Sequence, residues 1–298
     1  MSSAIDLVDR LVSEQHIRDY EANGCVRIAG AFDADTCARL TRAIDAALQD
    51  FDTPAFKSRA TGARHQNPPS LHRGDGQAQL RNFAQHVDVM RDWLHHSIAG
   101  ELVARLMRSR SVRFWMDATF VKDGSSAESA TPWHNDECTF PFRGEMMPSF
   151  WVALTDVTMD NAPIVTLRGS NRDPWRYHSP MSNPEAFEVE HIPWSHLERR
   201  VTRTDAPKDI WPCRAGDVLL IHPKTIHASL PRTAQDRGRR IALTTRWLGD
   251  DVRWAPNSLS IRIPSLEASG MMRFGEPPPA ELFPVIWPRS AGTARSDA

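Results

Sequence analysis

The apolar positions of this chain change period once. Up to about residue 107 most recur at helical spacing, and beyond it they alternate or run together as strands do. Residues 13–22 read as a short helix capped by Ser13 and stopped at Asn23-Gly24, where glycine accepts a left-handed turn. A short strand is expected over 25–29. Over 35–50 the apolar residues Cys37, Leu40, Ile44, Ala47 and Leu48 share one helical face, with Asp33 or Asp35 as cap. Residues 51–80, rich in Gly, Pro, Arg and Asn, show no period and are expected to form a loop. Phe83, Val87, Met90, Leu94, Ile98, Leu102, Val103 and Leu106 then predict a helix over 82–107, broken near Gly100.

The second part of the chain reads as strands. They are expected over 112–121, 149–157, 163–167, 218–222 and 239–248, separated by turn signals such as Lys122-Asp123-Gly124, Arg168-Gly169-Ser170 and Ala215-Gly216-Asp217. Phe150, Val152 and Leu154 alternate with Trp151, Ala153 and Thr155. This pattern predicts a mainly β fold with helical additions, a sandwich or jelly roll buttressed by N-terminal helices. One domain is expected over 1–298, with 1–110 mostly helical support, 111–250 the jelly-roll core and 251–298 a C-terminal extension. Within the core, 172–213 is too long for an ordinary connection. Its Trp175, Trp194 and Trp211 argue for an ordered lid.

Composition narrows the function by exclusion. A net charge of −1 gives no electrostatic reason to expect nucleic acid or a membrane surface as partner. Cys25, Cys37, Cys138 and Cys213 form no C-x-x-C pair and follow no secretion signal, so they read as reduced thiols of a soluble cytoplasmic protein. The polar residues 290–298 are expected to fray.

The candidate chemistry begins at Thr131-Pro132-Trp133-His134-Asn135-Asp136. On an extended segment His134 and Asp136 would present an imidazole and a carboxylate to one side, with Asn135 turned away. The spacing alone is weak, since His86-x-Asp88 repeats it on a predicted helix, where the two side chains diverge. Downstream lie His222-Pro223-Lys224-Thr225-Ile226-His227-Ala228-Ser229 and Arg239-Arg240-Ile241-Ala242. Two histidines and one carboxylate on one face of a metal is the arrangement of non-haem Fe(II) oxygenases, and either His222 or His227 could complete it. An anionic cosubstrate also needs a fixed cation. Arg240, with small Ala242 two residues on, is preferred to Arg239, which has Ile241 there.

Taken in order, Trp133-His134-Asn135-Asp136, Trp151-Val152-Ala153-Leu154, Gly169-Ser170-Asn171-Arg172, Ala215-Gly216-Asp217, His227-Ala228-Ser229 and the run from Arg240 through Arg246-Trp247-Leu248-Gly249-Asp250-Asp251 resemble the phytanoyl-CoA dioxygenase (PhyH) family. The resemblance extends from Tyr20-Glu21-Ala22-Asn23-Gly24 to Phe283-Pro284-Val285-Ile286-Trp287-Pro288. It implies a cupin-like double-stranded β-helix in which His134, Asp136 and His227 hold Fe(II). It also implies that 2-oxoglutarate reaches Arg240, helped by Ser229 and Trp151, with dioxygen as the second cosubstrate. Lys122 matches a recurring position without a role being implied. The implied reaction couples conversion of 2-oxoglutarate to succinate and carbon dioxide with oxidation, usually hydroxylation, of an aliphatic carbon in a small molecule. A small apolar secondary metabolite is expected. A fatty acyl-CoA, or a sensing module that keeps the metal without catalysis, is the alternative, and a homodimer is left open.

Asn135 and Asn171 stand where the family often has glutamine and histidine, and the stretch from His227 to Arg240 is about two residues longer than is common. Retention of Asp136 disfavours halogenation, which in this family accompanies a small residue there. Trp115, Phe140, Phe142 and Trp247 could line a substrate pocket, although large aromatics in a roll more often form core. The arginines at 199, 200 and 203, and those from Arg232 to Arg240, could meet coenzyme A phosphates or form a charged surface.

Overall fold

The computed structural model describes residues 4–59, 65–74, 76–123, 130–178, 191–233 and 238–289. The N-terminal part holds α1 Ala4–Leu11, α2 Glu14–Asn23, β1 Cys25–Ile28, α3 Ala34–Asp50, α4 Pro54–Arg59, β2 Ser70–Gly74, β3 Gln77–Arg81, α5 Asp88–His96 and α6 Ala99–Leu106. Next come β4 Val112–Lys122, β5 Thr131–His134, β6 Phe142–Arg143, β7 Ser149–Ala153, β8 Ile164–Leu167, β9 Arg176–Tyr177, β10 His191–Ile192, α7 Trp194–Thr202 and β11 Lys208–Trp211. The chain finishes with β12 Val218–Ile221, β13 His227–Ser229, β14 Arg240–Leu248, β15 Arg253–Trp254, α8 Pro264–Glu267 and β16 Val285–Trp287.

Two antiparallel sheets make the roll. The larger runs β1-β12-β7-β14-β4-β3-β2, with β16 added on β4, and the smaller runs β11-β8-β13-β5. The alternation read over 149–157 is real but serves two buried faces rather than one. Phe150 and Val152 join Leu40, Ile44, Met90 and Leu94 in the helix-facing core. Trp151 and Ala153 face inward with Leu219, Ile221 and Ala242. The N-terminal helices thus cover the outer face of the larger sheet, leaving the space between the sheets for the site.

Several expectations need correction. Residues 51–80 are not a loop: they contain α4 and the β2–β3 hairpin, which extends the larger sheet. The hairpin was hidden because it is mostly polar, with Leu80 its one fully buried apolar side chain. The predicted helix over 82–107 breaks at Ser97, not Gly100. Ser97 is extended and its hydroxyl accepts from the Ala99 amide, a cap that competes with helix continuation. The helix also starts only at Asp88, so His86 lies in a 3-10 turn before α5. The span 172–213 is partly core, since β11 pairs with β8 and the Trp211 indole donates to Thr166 Oγ1 at 3.0 Å. Trp175 is exposed. The Ser-rich stretch after Asp123, Arg237 and the tail 290–298 lie outside the described residues.

Candidate active site

His134 ends β5 and His227 begins β13, and the two are direct cross-strand partners with ring centroids 4.2 Å apart. Each ring is fixed by the carbonyl two residues upstream. Nδ1 of His134 meets Pro132 O and Nδ1 of His227 meets Thr225 O, both at 2.8 Å. A carbonyl can only accept, so each Nδ1 carries the proton and each Nε2 offers a lone pair inward. Burial and the neighbouring His134 push His227 down to about 4, which keeps its ring neutral.

Asp136 arrives differently from the sequence expectation. It does not sit on the strand but two residues past its end, in helical backbone that opens a 3-10 turn over Glu137–Thr139. Its direction comes from the larger sheet instead. Ser149 on β7 and Arg246 on β14 are opposite one another, and together they clamp the carboxylate: Ser149 Oγ donates to Oδ2, and Arg246 donates to Oδ1 at 3.1 Å. Burial would raise this carboxyl, but the Arg246 guanidinium and the two histidines hold it well below the usual carboxylate range. One ligand atom from each of His134, Asp136 and His227 lies within 4.8 Å of the others.

The other end of the same cavity is cationic. Arg240 is 1% exposed, lies opposite Lys122 across the sheet, and has its guanidinium over the Trp151 ring at 5.1 Å. It donates to Ala162 O at 3.2 Å, while its Nε has no partner. Lys122 donates to Ser229 Oγ at 2.9 Å, and the Thr131 amide also donates to that oxygen. Burial, then Arg240 and Arg232, push Lys122 down to about 7. The walls between the two ends include Phe120, Ile164, Ile221 and Ala228, with Thr244 beside them.

The family model described as phytanoyl-CoA dioxygenase (PhyH) matches residues 20–241. The chain belongs to this family. Among solved structures it is similar to the non-heme alpha ketoglutarate dependent carbocyclase SnoK from nogalamycin biosynthesis, with TM-score 0.71 and 19% identity over 95% of this chain and 98% of that one. The epimerase SnoN, solved with Fe3+, alpha ketoglutarate and nogalamycin RO, gives TM-score 0.64 and 19% identity over 94% and 98% of the two chains. EctD from S. alaskensis gives TM-score 0.60 and 16% identity over 85% of each. No curated protein sequence matches.

As a PhyH-family member the protein is a 2-oxoglutarate-dependent non-haem iron enzyme. Its residues fit both groups. The paired Nε2 lone pairs and the buried carboxylate suit a hard-to-borderline divalent ion. The orphaned Nε of buried Arg240 suits a carboxylate, which would relieve the cost of burying an uncompensated guanidinium.

The PhyH site sorts the remaining candidates. Arg240 is inside, whereas Arg239 is exposed and paired with Asp45. His222 lies away from the cavity, its Nε2 3.0 Å from Glu145. Trp115, Phe140 and Phe142 belong to a separate apolar cluster, and Trp247 belongs to the helix-facing core. None of these four is a wall of the cavity. Sequence reasoning missed Arg246 and Ser149. Arg246 had a readable signal, since six residues after Arg240 on one strand means the same face; Ser149 had none.

Proposed function

We propose that this enzyme hydroxylates or otherwise oxidises an aliphatic C–H in a small molecule of secondary metabolism whose reacting part is apolar. In this reading His134, Asp136 and His227 hold Fe(II), and Arg240, Ser229 and Trp151 hold 2-oxoglutarate. The observation that carries it is that the three ligands and an almost fully buried arginine line one cavity. Iron with 2-oxoglutarate and dioxygen supplies the oxidising power, with succinate and carbon dioxide as the coproducts.

The chain's own groups do the positioning. Arg240, opposite Lys122, gives the distal carboxylate of the cosubstrate its counter-charge, and Trp151 shields that guanidinium from water. Ser149 and Arg246 fix the carboxylate of Asp136, so its orientation does not depend on its own rotamer freedom. Phe120, Ile164 and Ile221 supply the apolar wall. The acyl-coenzyme A alternative lacks comparable support. Arg200 is paired with Asp173 and Tyr177, Arg203 with Asp205, and Arg239 with Asp45. The free, buried cysteines are compatible with a reducing cytoplasm.

The test is succinate formation with iron, ascorbate and 2-oxoglutarate across a substrate panel. Iron-dependent succinate above the His134→Ala background is expected. Its absence with every substrate overturns the reading.

A further inference from the structure

The face of the larger sheet that carries Phe120 and Arg240 does not stop at β4. In an antiparallel ladder, directly opposed residues share a face. Gln79 is opposite Phe120, and Arg81 is opposite Ala118, which in turn is opposite Thr244. Arg246 is opposite Met116, one step along the same face. Arg81 and Arg246 therefore flank Ala118, whose buried methyl group lies between them.

This part of the face is cationic and only partly compensated. Arg246 spends one nitrogen on Asp136, stacks over Phe140 at 5.6 Å, and keeps a buried Nε with no partner. Arg81 donates to neutral Gln79 Oε1 at 2.6 Å. Arg81 is exposed, yet desolvation and then the charge of Arg246 push it below its ordinary range. Next to them Met116, Ala118 and Phe120 form an apolar strip on the same face, and Phe120 lines the cavity.

Resting on the reading above, we infer that the substrate is amphiphilic: an apolar segment lies along Phe120 and Met116, and an anionic oxygen group, carboxylate or phosphate ester, is held by Arg81 and Gln79 beside Arg246. This anion site is separate from the Arg240 and Lys122 end. Arg240 sits six residues before Arg246 on β14, with Ala242 and Thr244 between them on the same face.

The experiment uses the iron-loaded full chain under anaerobic conditions and follows the visible absorption of its Fe(II)–2-oxoglutarate complex. Matched probes are added: octanoate against methyl octanoate, and octyl phosphate against octanol. Each anionic probe should perturb the band at a concentration about tenfold lower than its neutral partner, the scale of one charge-assisted hydrogen bond. The stronger of the two anions identifies the head group. In Arg81→Gln this preference should fall to about onefold, whereas Arg39→Gln, on α3 outside this face, should keep it. Equal action of both members of each pair, no action of any probe, or a preference that survives Arg81→Gln overturns the inference. Failure of the band to form at all overturns the cosubstrate site instead, so the two failures are distinguishable.

Discussion

Burying a guanidinium as completely as Arg240 costs several kcal/mol unless an anion meets it. The expected consequence is a large dependence of cosubstrate affinity on this residue and none on its neighbour. Arg240→Ala should raise the KM for 2-oxoglutarate by about 10- to 100-fold. Arg239→Ala, which loses only a surface pair with Asp45, should change it less than about twofold. Succinate rates against 2-oxoglutarate concentration decide between the two arginines. A second residue acts on stability rather than chemistry. Asp117 accepts from the Phe83 and Ala84 amides at 3.1 Å, yet burial outweighs them and pushes its carboxyl up to about 7. The unfolded value is about 3.9. Between these values the folded chain holds a proton that the unfolded chain has released, so this contribution is complete below about pH 4 and is lost as pH rises through about 7. Asp117→Asn should therefore gain in urea midpoint relative to the parent on going from pH 5 to pH 8. An unchanged difference would mean that Asp117 is ionised in the fold.

At the scale of elements, legibility followed burial. Helix α2 could be read from Ser13 and Gly24 because caps act locally; the structure adds only that His16 completes the capping box. Strands β4, β7, β8, β12 and β14 announced themselves through apolar runs. The hairpin β2–β3 could not, since its sheet position is set by hydrogen bonds to β4 and not by its own side chains. The same holds for Asp136: the sequence places it near His134, but the clamp that aims it comes from two strands remote in the chain. Gly24 shows how one element supports another. Its φ is +80°, and a Cβ there would come within 2.1 Å of Thr225 Oγ1. The Thr225 hydroxyl donates to Gly24 O, and the Thr225 carbonyl is the one that fixes His227. Gly24→Ala is expected to cost about 2–4 kcal/mol by urea unfolding. It should also weaken metal binding in a titration, through the displaced His227.

Across the whole molecule, the larger sheet joins distant parts of the chain. Its β4 pairs with β3 on one side, β14 on the other, and β16 near its start. Ile286 on β16 packs against Gly100 of α6, where an added Cβ would lie 2.7 Å from it, and Phe283 is fully buried. Removing residues from 282 onward should therefore cost about 2–5 kcal/mol for each of these two side chains and lower the thermal midpoint. A truncated chain with unchanged stability would show that the segment is an appendage. The sequence indicated a roll with helical support, and the motif order indicated the family. What it could not convey was that, beyond the strand expected over 25–29, the first hundred residues supply two more strands of the sheet.

The two carbonyls behind His134 and His227 have one more consequence. Because the rings are held before any ion arrives, metal uptake should require little rearrangement of the protein. For a site of nitrogen and oxygen donors, intrinsic affinity rises from manganese towards copper, with Fe(II) near the weak end. Occupancy is therefore decided by which ion is supplied. Protein prepared with cobalt or nickel in excess should carry that ion and gain thermal stability with its concentration, as mass action requires. It should also lack turnover until the metal is exchanged for iron.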